Sequence, residues 1–104
     1  MKAPIVENWS DIAGEIKAVR PHPELAEFVA AAITLRDAHA VPAFAHLLEG
    51  CAGQTISVNI PQELGHRLGL KPGGTFRGRV RRGGNAYFVH PEHAALIPPG
   101  PTVI

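Results

Sequence analysis

The segment Ile56–Gly74 constrains the fold of this 104-residue chain most strongly, because a strand, a short helix and a turn follow one another within it. Apolar and polar side chains alternate over Gln54–Ile60, which is typical of a strand with one buried face. Pro61 suits the first turn of a helix, and leucines at positions 64 and 68 predict that one side of this helix is buried. Gly69 and the Pro-Gly pair at 72–73 predict where the helix ends.

A β-hairpin is predicted directly after this segment. Thr75–Arg82 has the pattern of one strand, residues 83–85 form a tight turn, and Ala86–His90 is the returning strand, which Pro91 ends. Alternate residues of a strand share one face, so the hairpin presents a cationic stripe made of Arg77, Arg79 and Arg81. Such a stripe is a candidate contact for phosphates, and its structural alternative is a charged face that prevents edge-to-edge aggregation.

The first half of the chain is predicted to form three short helices. The first begins near Asn8 and ends at the prolines at 21 and 23, the second begins at Pro23, and the third runs from Pro42 to a C-terminal cap at Gly50. The predicted buried faces consist of Ile12, Ile16 and Val19 in the first helix, Leu25, Phe28, Val29, Ala32, Ile33 and Arg36 in the second, and Phe44, Leu47 and Leu48 in the third.

Charge is distributed unevenly along the chain, although the net charge is only +1. Residues 1–52 carry seven acidic and four basic side chains, whereas residues 53–104 carry two acidic and six basic ones. The basic half is therefore the half predicted to contain the strands, which favours an anionic partner for that half.

The order of a strand ending in Ile-Pro, a short helix ending in Leu-Gly-Leu, a Lys-Pro-Gly turn and a hairpin resembles the AbrB/MazE/SpoVT family of swapped-hairpin, or looped-hinge, domains. The resemblance covers residues 53–91 and is carried by Ile60, Pro61, Glu63, Leu64, Leu68, Gly69, Leu70, Lys71, Pro72 and Gly73, with Arg82 to Asn85 as the hairpin turn. It implies an intertwined homodimer in which strands of two chains complete one barrel.

The fold class expected from these observations is α+β. Short helices are expected over residues 1–52, an AbrB-like swapped-hairpin β-barrel completed by dimerisation over residues 53–93, and a proline-rich extended tail over residues 94–104. A hairpin, one strand and a two-turn helix offer too little core to be stable alone, which agrees with a dimer.

The resemblance also implies a function, namely a homodimeric DNA-binding transcriptional regulator or the antitoxin of a toxin–antitoxin pair. The chain departs from the family pattern at Gly65, where the family commonly has an arginine, and in its neutral first strand. The expected DNA-binding residues are Gln54, Asn59, Arg67, Lys71, Arg77, Arg79, Arg81 and Arg82. The acidic helical half would bind a toxin or another protein. The competing hypothesis is a non-catalytic adaptor or assembly subunit whose barrel binds protein and no nucleic acid.

Neither catalysis nor metal binding is predicted. His90 and His93 are candidate metal ligands, but Pro91 breaks any helix that would align them. Neither a cysteine pair nor a third ligand lies nearby in the sequence. Cys51, with His46 upstream, is expected to be a buried structural thiol rather than a nucleophile. We therefore expect no enzymatic activity, no cofactor and no metal.

The sequence also predicts a cytoplasmic protein with no membrane partner. A single cysteine cannot form an internal disulfide, and the longest apolar run is too short to span a bilayer. The first ten residues lack the basic start and long apolar centre of a signal peptide.

Overall fold

The computed structural model describes residues 8–48, 50–84 and 86–97. Five strands and one helix follow one another along these residues: β1 (Ser10–Pro21), β2 (Phe28–Ala40), β3 (Thr55–Pro61), α1 (Gln62–Leu68), β4 (Thr75–Gly83) and β5 (Ala86–Ile97). The strands form a closed barrel in the order β1-β2-β3-β5-β4. Paired strands are antiparallel, except that β3 and β5 are parallel.

Strand β1 closes the barrel because its first half pairs with two strands at once. Residues 10–15 of β1 lie opposite residues 34–40 of β2 on one side and residues 75–80 of β4 on the other. The strands of the N-terminal half therefore belong to the same barrel as those of the C-terminal half.

The first predicted helix is wrong, since this segment forms β1. Ile12 and Ile16 are four residues apart, a spacing that places two side chains on the same side of a helix and also of a strand. Both are buried in the barrel, with 1% and 0% exposure. The register with β2 shifts between Ile16 and Ala18, which leaves Lys17 unpaired and changes the alternation of β1 so that Val19 also packs against the core.

The second predicted helix is also wrong, because this segment forms β2. Ala31, Ile33 and Leu35 point inward at every second position and are almost fully buried. Alanine is the strongest helix former and is depleted in strands, so the run of alanines at 30–32 favoured a helix and concealed the alternation. The segment is a strand because it pairs with β1 along one edge and with β3 along the other. Such tertiary pairing often overrides the local conformational preference of a segment.

The third predicted helix is absent from the described part of residues 42–50. This segment consists of turns with one isolated bridge between Asn8 and Ala45. Leu48 is buried in the core as expected, whereas Phe44 and Leu47 are exposed. Ala43 has a φ of 73°, which is incompatible with a right-handed helix.

The predictions for the middle of the chain are confirmed. Strand β3 and helix α1 have nearly the predicted bounds, and Leu64 and Leu68 face the core. Gly69 ends the helix in a left-handed conformation with a φ of 69°, and its N–H donates to the carbonyls of Gly65 and His66.

The expected α+β class with a barrel completed by dimerisation is wrong. Five strands of one chain close the barrel, and the only helix among the described residues is α1. The first half of the chain supplies the core that the hairpin and β3 alone would lack, with Ile12, Ile16 and Leu35 buried beside Phe76 and Val80. A second chain is therefore not needed to complete the barrel.

The hairpin is present, but its second strand is longer than predicted. Strand β5 continues beyond Pro91 to Ile97, so residues 94–97 belong to the barrel rather than to a tail. Pro91 is accommodated in an irregular stretch where the β4–β5 register shifts, which is a typical place for proline in a sheet. The rest of the predicted tail, residues 98–104, lies outside the described residues.

Gly14 provides a test of the β1–β2 packing. A Cβ atom at this position would clash with the carbonyl oxygen of Thr34 and lie 2.8 Å from Cγ2 of Ile33. We expect Gly14→Ala to lower the free energy of unfolding by about 1–3 kcal/mol, the usual cost of overpacking. Urea denaturation measures this change. Ser57→Ala, on an exposed position of β3, is the control and should change stability by less than about 0.5 kcal/mol. Equal stabilities of the two variants would contradict this packing.

Candidate functional site

Strand β4 carries the three arginines predicted to share one face, and they lie on the outside of the barrel. The intervening residues Phe76, Gly78 and Val80 are buried. Alternate residues along a strand are about 6.6 Å apart, so the arginines form a row. Their surroundings differ, however, and only one of them combines a free charge with an aromatic surface.

Arg79, the middle arginine, is engaged by Asp11 of β1. Its Nε and one terminal nitrogen donate hydrogen bonds of 2.8 and 3.2 Å to the two carboxylate oxygens. This two-pronged hydrogen bond holds the pKa of Arg79 above its usual value. The charge of Arg79 is therefore largely balanced within the protein.

Arg77 lies in an outer groove with a volume of about 570 Å³. The carboxylates of Asp37 and Glu92 line the same groove, together with the pair formed by Asp11 and Arg79. Nearby carboxylates repel a phosphate and offset the attraction of Arg77. This end of the arginine row is thus the weaker candidate for contact with a polyanion.

Arg81 has an aromatic environment instead. It is exposed and forms no ion pair with another described residue. Its guanidinium carbon is 5.9 Å from the ring centroid of Phe88, which lies directly opposite on β5. The Phe88 ring meets Phe28 of β2 edge to face, with centroids 5.9 Å apart. A free cation and two half-buried rings are therefore neighbours.

A four-residue bulge in β5 adds further rings beside Arg79. Residues 78 and 80 of β4 pair with residues 94 and 89 of β5, so residues 90–93 lie opposite a single residue. The bulge brings the rings of His90 and His93 to a centroid distance of 4.7 Å. The Trp9 ring lies 5.2 Å from that of His90. Because Phe88 and His90 are two apart on one strand, their side chains point to the same side.

Hydrogen bonds on both sides of Trp9 fix its backbone. The Asn8 side chain donates to the carbonyl of Arg82 at 3.2 Å and accepts from the Arg82 N–H at 2.7 Å. The hydroxyl of Ser10 and Nδ1 of His46 are 2.7 Å apart. The backbone N–H of Trp9 donates to the carbonyl of residue 45. The tryptophan is thus attached both to β4 and to the loop before β3.

These side chains form two neighbouring clusters on the outer side of the barrel, which we together call the aromatic–arginine face. It contains Trp9, Phe28, Arg81, Phe88, His90 and His93. All six are half-buried or exposed. Rings on a cationic surface can stack on planar groups while the cation contacts an anion.

The remaining residues predicted to bind DNA are dispersed. Gln54 is exposed in the turn before β3, Arg67 is in the last turn of α1, and Lys71 is in the loop after it. Arg82 lies beside the face, but its Nε donates to the carbonyl of Gly84 at 3.1 Å. Asn59 is on β3 and only 2% exposed. The structure therefore joins β4 residues to the aromatic rings rather than to α1.

The aromatic residues of this face were not identified from the sequence as candidate site residues. Phe28 was placed on the buried side of the second helix, and Phe88 was counted only as part of a strand. The position of Phe88 could have been predicted from the sequence. A hairpin with a two-residue turn after Gly83 pairs Arg81 with Phe88. No local signal relates Trp9 or Phe28 to β5, because both contacts depend on barrel closure.

The contact between His90 and His93 brings two candidate metal ligands together. Within the described residues, no group of three or more histidine, cysteine, aspartate or glutamate side chains could hold a metal ion. Cys51 is half-buried and packs against the core, so the predicted burial of its thiol is only partial.

Comparison with known proteins assigns no family to the chain. A scan against protein-family models matches no family, and a search of curated proteins finds no similar sequence. The resemblance to AbrB-like domains therefore gains no support beyond a small five-stranded β-barrel.

No helix in the described part of the chain is long and apolar enough to cross a membrane. The seven residues of α1 form the only helix in that part.

Asn8→Ala tests whether the hydrogen bonds to Arg82 position Trp9. Loss of the side chain removes two partly buried hydrogen bonds to the Arg82 backbone, each of which typically contributes about 0.5–1.5 kcal/mol. We expect a lower unfolding free energy and stronger quenching of Trp9 fluorescence by acrylamide in the folded protein. Trp9 is the only tryptophan, so the signal is unambiguous. Gln54→Ala is the control on an exposed residue. Unchanged quenching in Asn8→Ala would contradict the proposed anchoring.

Proposed function

We propose that this protein binds single-stranded nucleic acid through the aromatic–arginine face. The observation that carries the proposal is the close arrangement of Arg81, Phe88 and Phe28 on the outer barrel surface. Proteins that bind single strands combine cations for the backbone with aromatic rings on which bases stack. Stacking contributes about 1–3 kcal/mol per base in such complexes.

The rings favour a single strand over a duplex. Bases in a duplex are already stacked on one another, whereas those of a single strand can stack on a protein side chain. Entry into a duplex major groove needs a protruding helix or ribbon. Here Arg81 and Phe88 belong to strands that form the barrel wall, and α1 carries none of the rings of the face.

The strand order supplies an independent, weaker argument. A five-stranded barrel in the order β1-β2-β3-β5-β4, with a helix between β3 and β4, has the topology of the OB-fold. Many OB-fold barrels bind oligonucleotides or oligosaccharides. This is an analogy of fold, and the residues of the face carry the argument for function.

The regulator, antitoxin and homodimer roles stay predictions from the family resemblance. The closed barrel removes the packing argument for an obligatory dimer, so we propose nucleic-acid binding without assigning those roles. The adaptor hypothesis has one favourable observation, namely that Phe44 and Leu47 are 38% and 45% exposed. These side chains could contact a protein partner, and the adaptor hypothesis predicts no affinity for oligonucleotides.

Three arginine variants test the proposal in a quantitative way. Fluorescence anisotropy with a labelled single-stranded oligonucleotide gives the affinity at several salt concentrations. We expect Arg81→Ala to weaken binding most and to reduce the salt slope by about 0.7, the value for one lost phosphate contact on a single strand. Arg77→Ala should have a smaller effect because the carboxylates of Asp37 and Glu92 line the same groove as Arg77. Arg67→Ala, on α1, is the matched control for loss of one positive charge.

Two outcomes would contradict the proposal. One is wild-type protein that binds no oligonucleotide at low salt, which would favour the adaptor. The other is an equal loss of affinity in all three variants, which would indicate attraction by total charge rather than by this face.

A further inference from the structure

The side chain of Asn59 points to the outside of the barrel, yet it is almost completely buried. Its neighbours Val58 and Ile60 are fully buried in the barrel, so alternation directs the Asn59 side chain to the outer surface. Nevertheless, Asn59 is only 2% exposed. Other side chains on the outer surface must therefore cover it.

The strand register identifies the side chains around Asn59. Ala30 of β2 lies on one side of it and Phe88 of β5 on the other. Phe28 is two residues from Ala30 on β2, and its ring contacts that of Phe88. The large neighbours in this register are thus the two phenylalanines of the aromatic–arginine face. Asn59 lies at the floor of that face, next to the ring that Arg81 approaches.

The side-chain amide of Asn59 lacks a hydrogen-bond partner among the described residues. A buried amide without a partner costs about 1–3 kcal/mol, so an unpaired asparagine at this position needs a reason. Its nitrogen and oxygen are not completely sealed from the surface, since no fully buried side-chain nitrogen or oxygen in the described part is unpaired. The amide therefore keeps a small accessible area on the outer side of the barrel.

We infer that Asn59 reads the polar edge of one nucleotide base, while that base stacks on Phe88. An asparagine amide presents a donor beside an acceptor, which matches paired groups on a base edge and forms two hydrogen bonds with adenine. Arg81 would lie over the base or contact its phosphate. This inference rests on the proposed function and adds a specificity-determining residue to it.

The test compares the affinities of wild-type protein and Asn59→Leu for four DNA homopolymers of equal length. Leucine has the same branched outline as asparagine, is larger, and has no polar group. We expect wild-type protein to prefer one homopolymer, oligo-dA on the pairing above, by at least about fivefold, the low end of one base-edge contact. In Asn59→Leu the four affinities should converge, whereas the salt slope stays the same because no phosphate contact is lost.

Controls separate base recognition from general damage. Ser57→Ala, an exposed position of the same strand, should keep the wild-type preference. An oligonucleotide of abasic sites should bind equally to wild-type protein and Asn59→Leu, because only the base edge contacts residue 59. If Asn59→Leu does not fold, as judged by its circular dichroism, Asn59→Ala removes the same amide with a smaller side chain.

The possible failures are distinguishable. Absence of all oligonucleotide binding by wild-type protein would overturn the proposed function and this inference together. Binding with equal affinity for the four homopolymers, or a preference that persists in the Asn59 variants, would overturn only the inference.

Discussion

The structure depends on the pairing of β1 with both β2 and β4, which closes the barrel within one chain. Without this strand, Phe76 and Val80 of β4 would lose the cover of Ile12 and Ile16, and the sheet would have two open edges. The double pairing requires close backbone approach at Gly14, where any side chain would meet β2. Closure of the barrel thus relies on one glycine in β1 and on two register shifts in the pairing of β1 with β2.

Closure also assembles the candidate site. It places Asp11 beside Arg79, which balances that charge, and it brings Trp9 to the bulge of β5. The row of three arginines predicted from the sequence is therefore divided into unequal parts. Arg81 keeps an exposed charge and an aromatic neighbour, and this combination supports the proposal of nucleic-acid binding.

The predictability of the fold differs between the two halves of the chain for a physical reason. Strand β3, helix α1 and the start of the hairpin are governed by local signals, namely strict alternation, a proline start and a left-handed glycine end, and these were predicted correctly. In β1 and β2, the apolar residues have spacings that fit both a helix and a strand. Pairing between distant segments decides their conformation, and a single sequence contains no direct signal for it. The arginines were recognisable from alternation alone, whereas Trp9 and Phe28 required knowledge of which strands are neighbours.

The most direct test of the account is a two-dimensional NMR titration of the protein with a single-stranded oligonucleotide. We expect the Trp9 indole and the amides of residues 79–82, 87–90 and 92–93 to shift most, while those of α1 change little. Shifts centred on α1 and the loop with Lys71, or no shifts at low salt, would contradict the claim that the barrel presents a nucleic-acid-binding surface at β4 and β5.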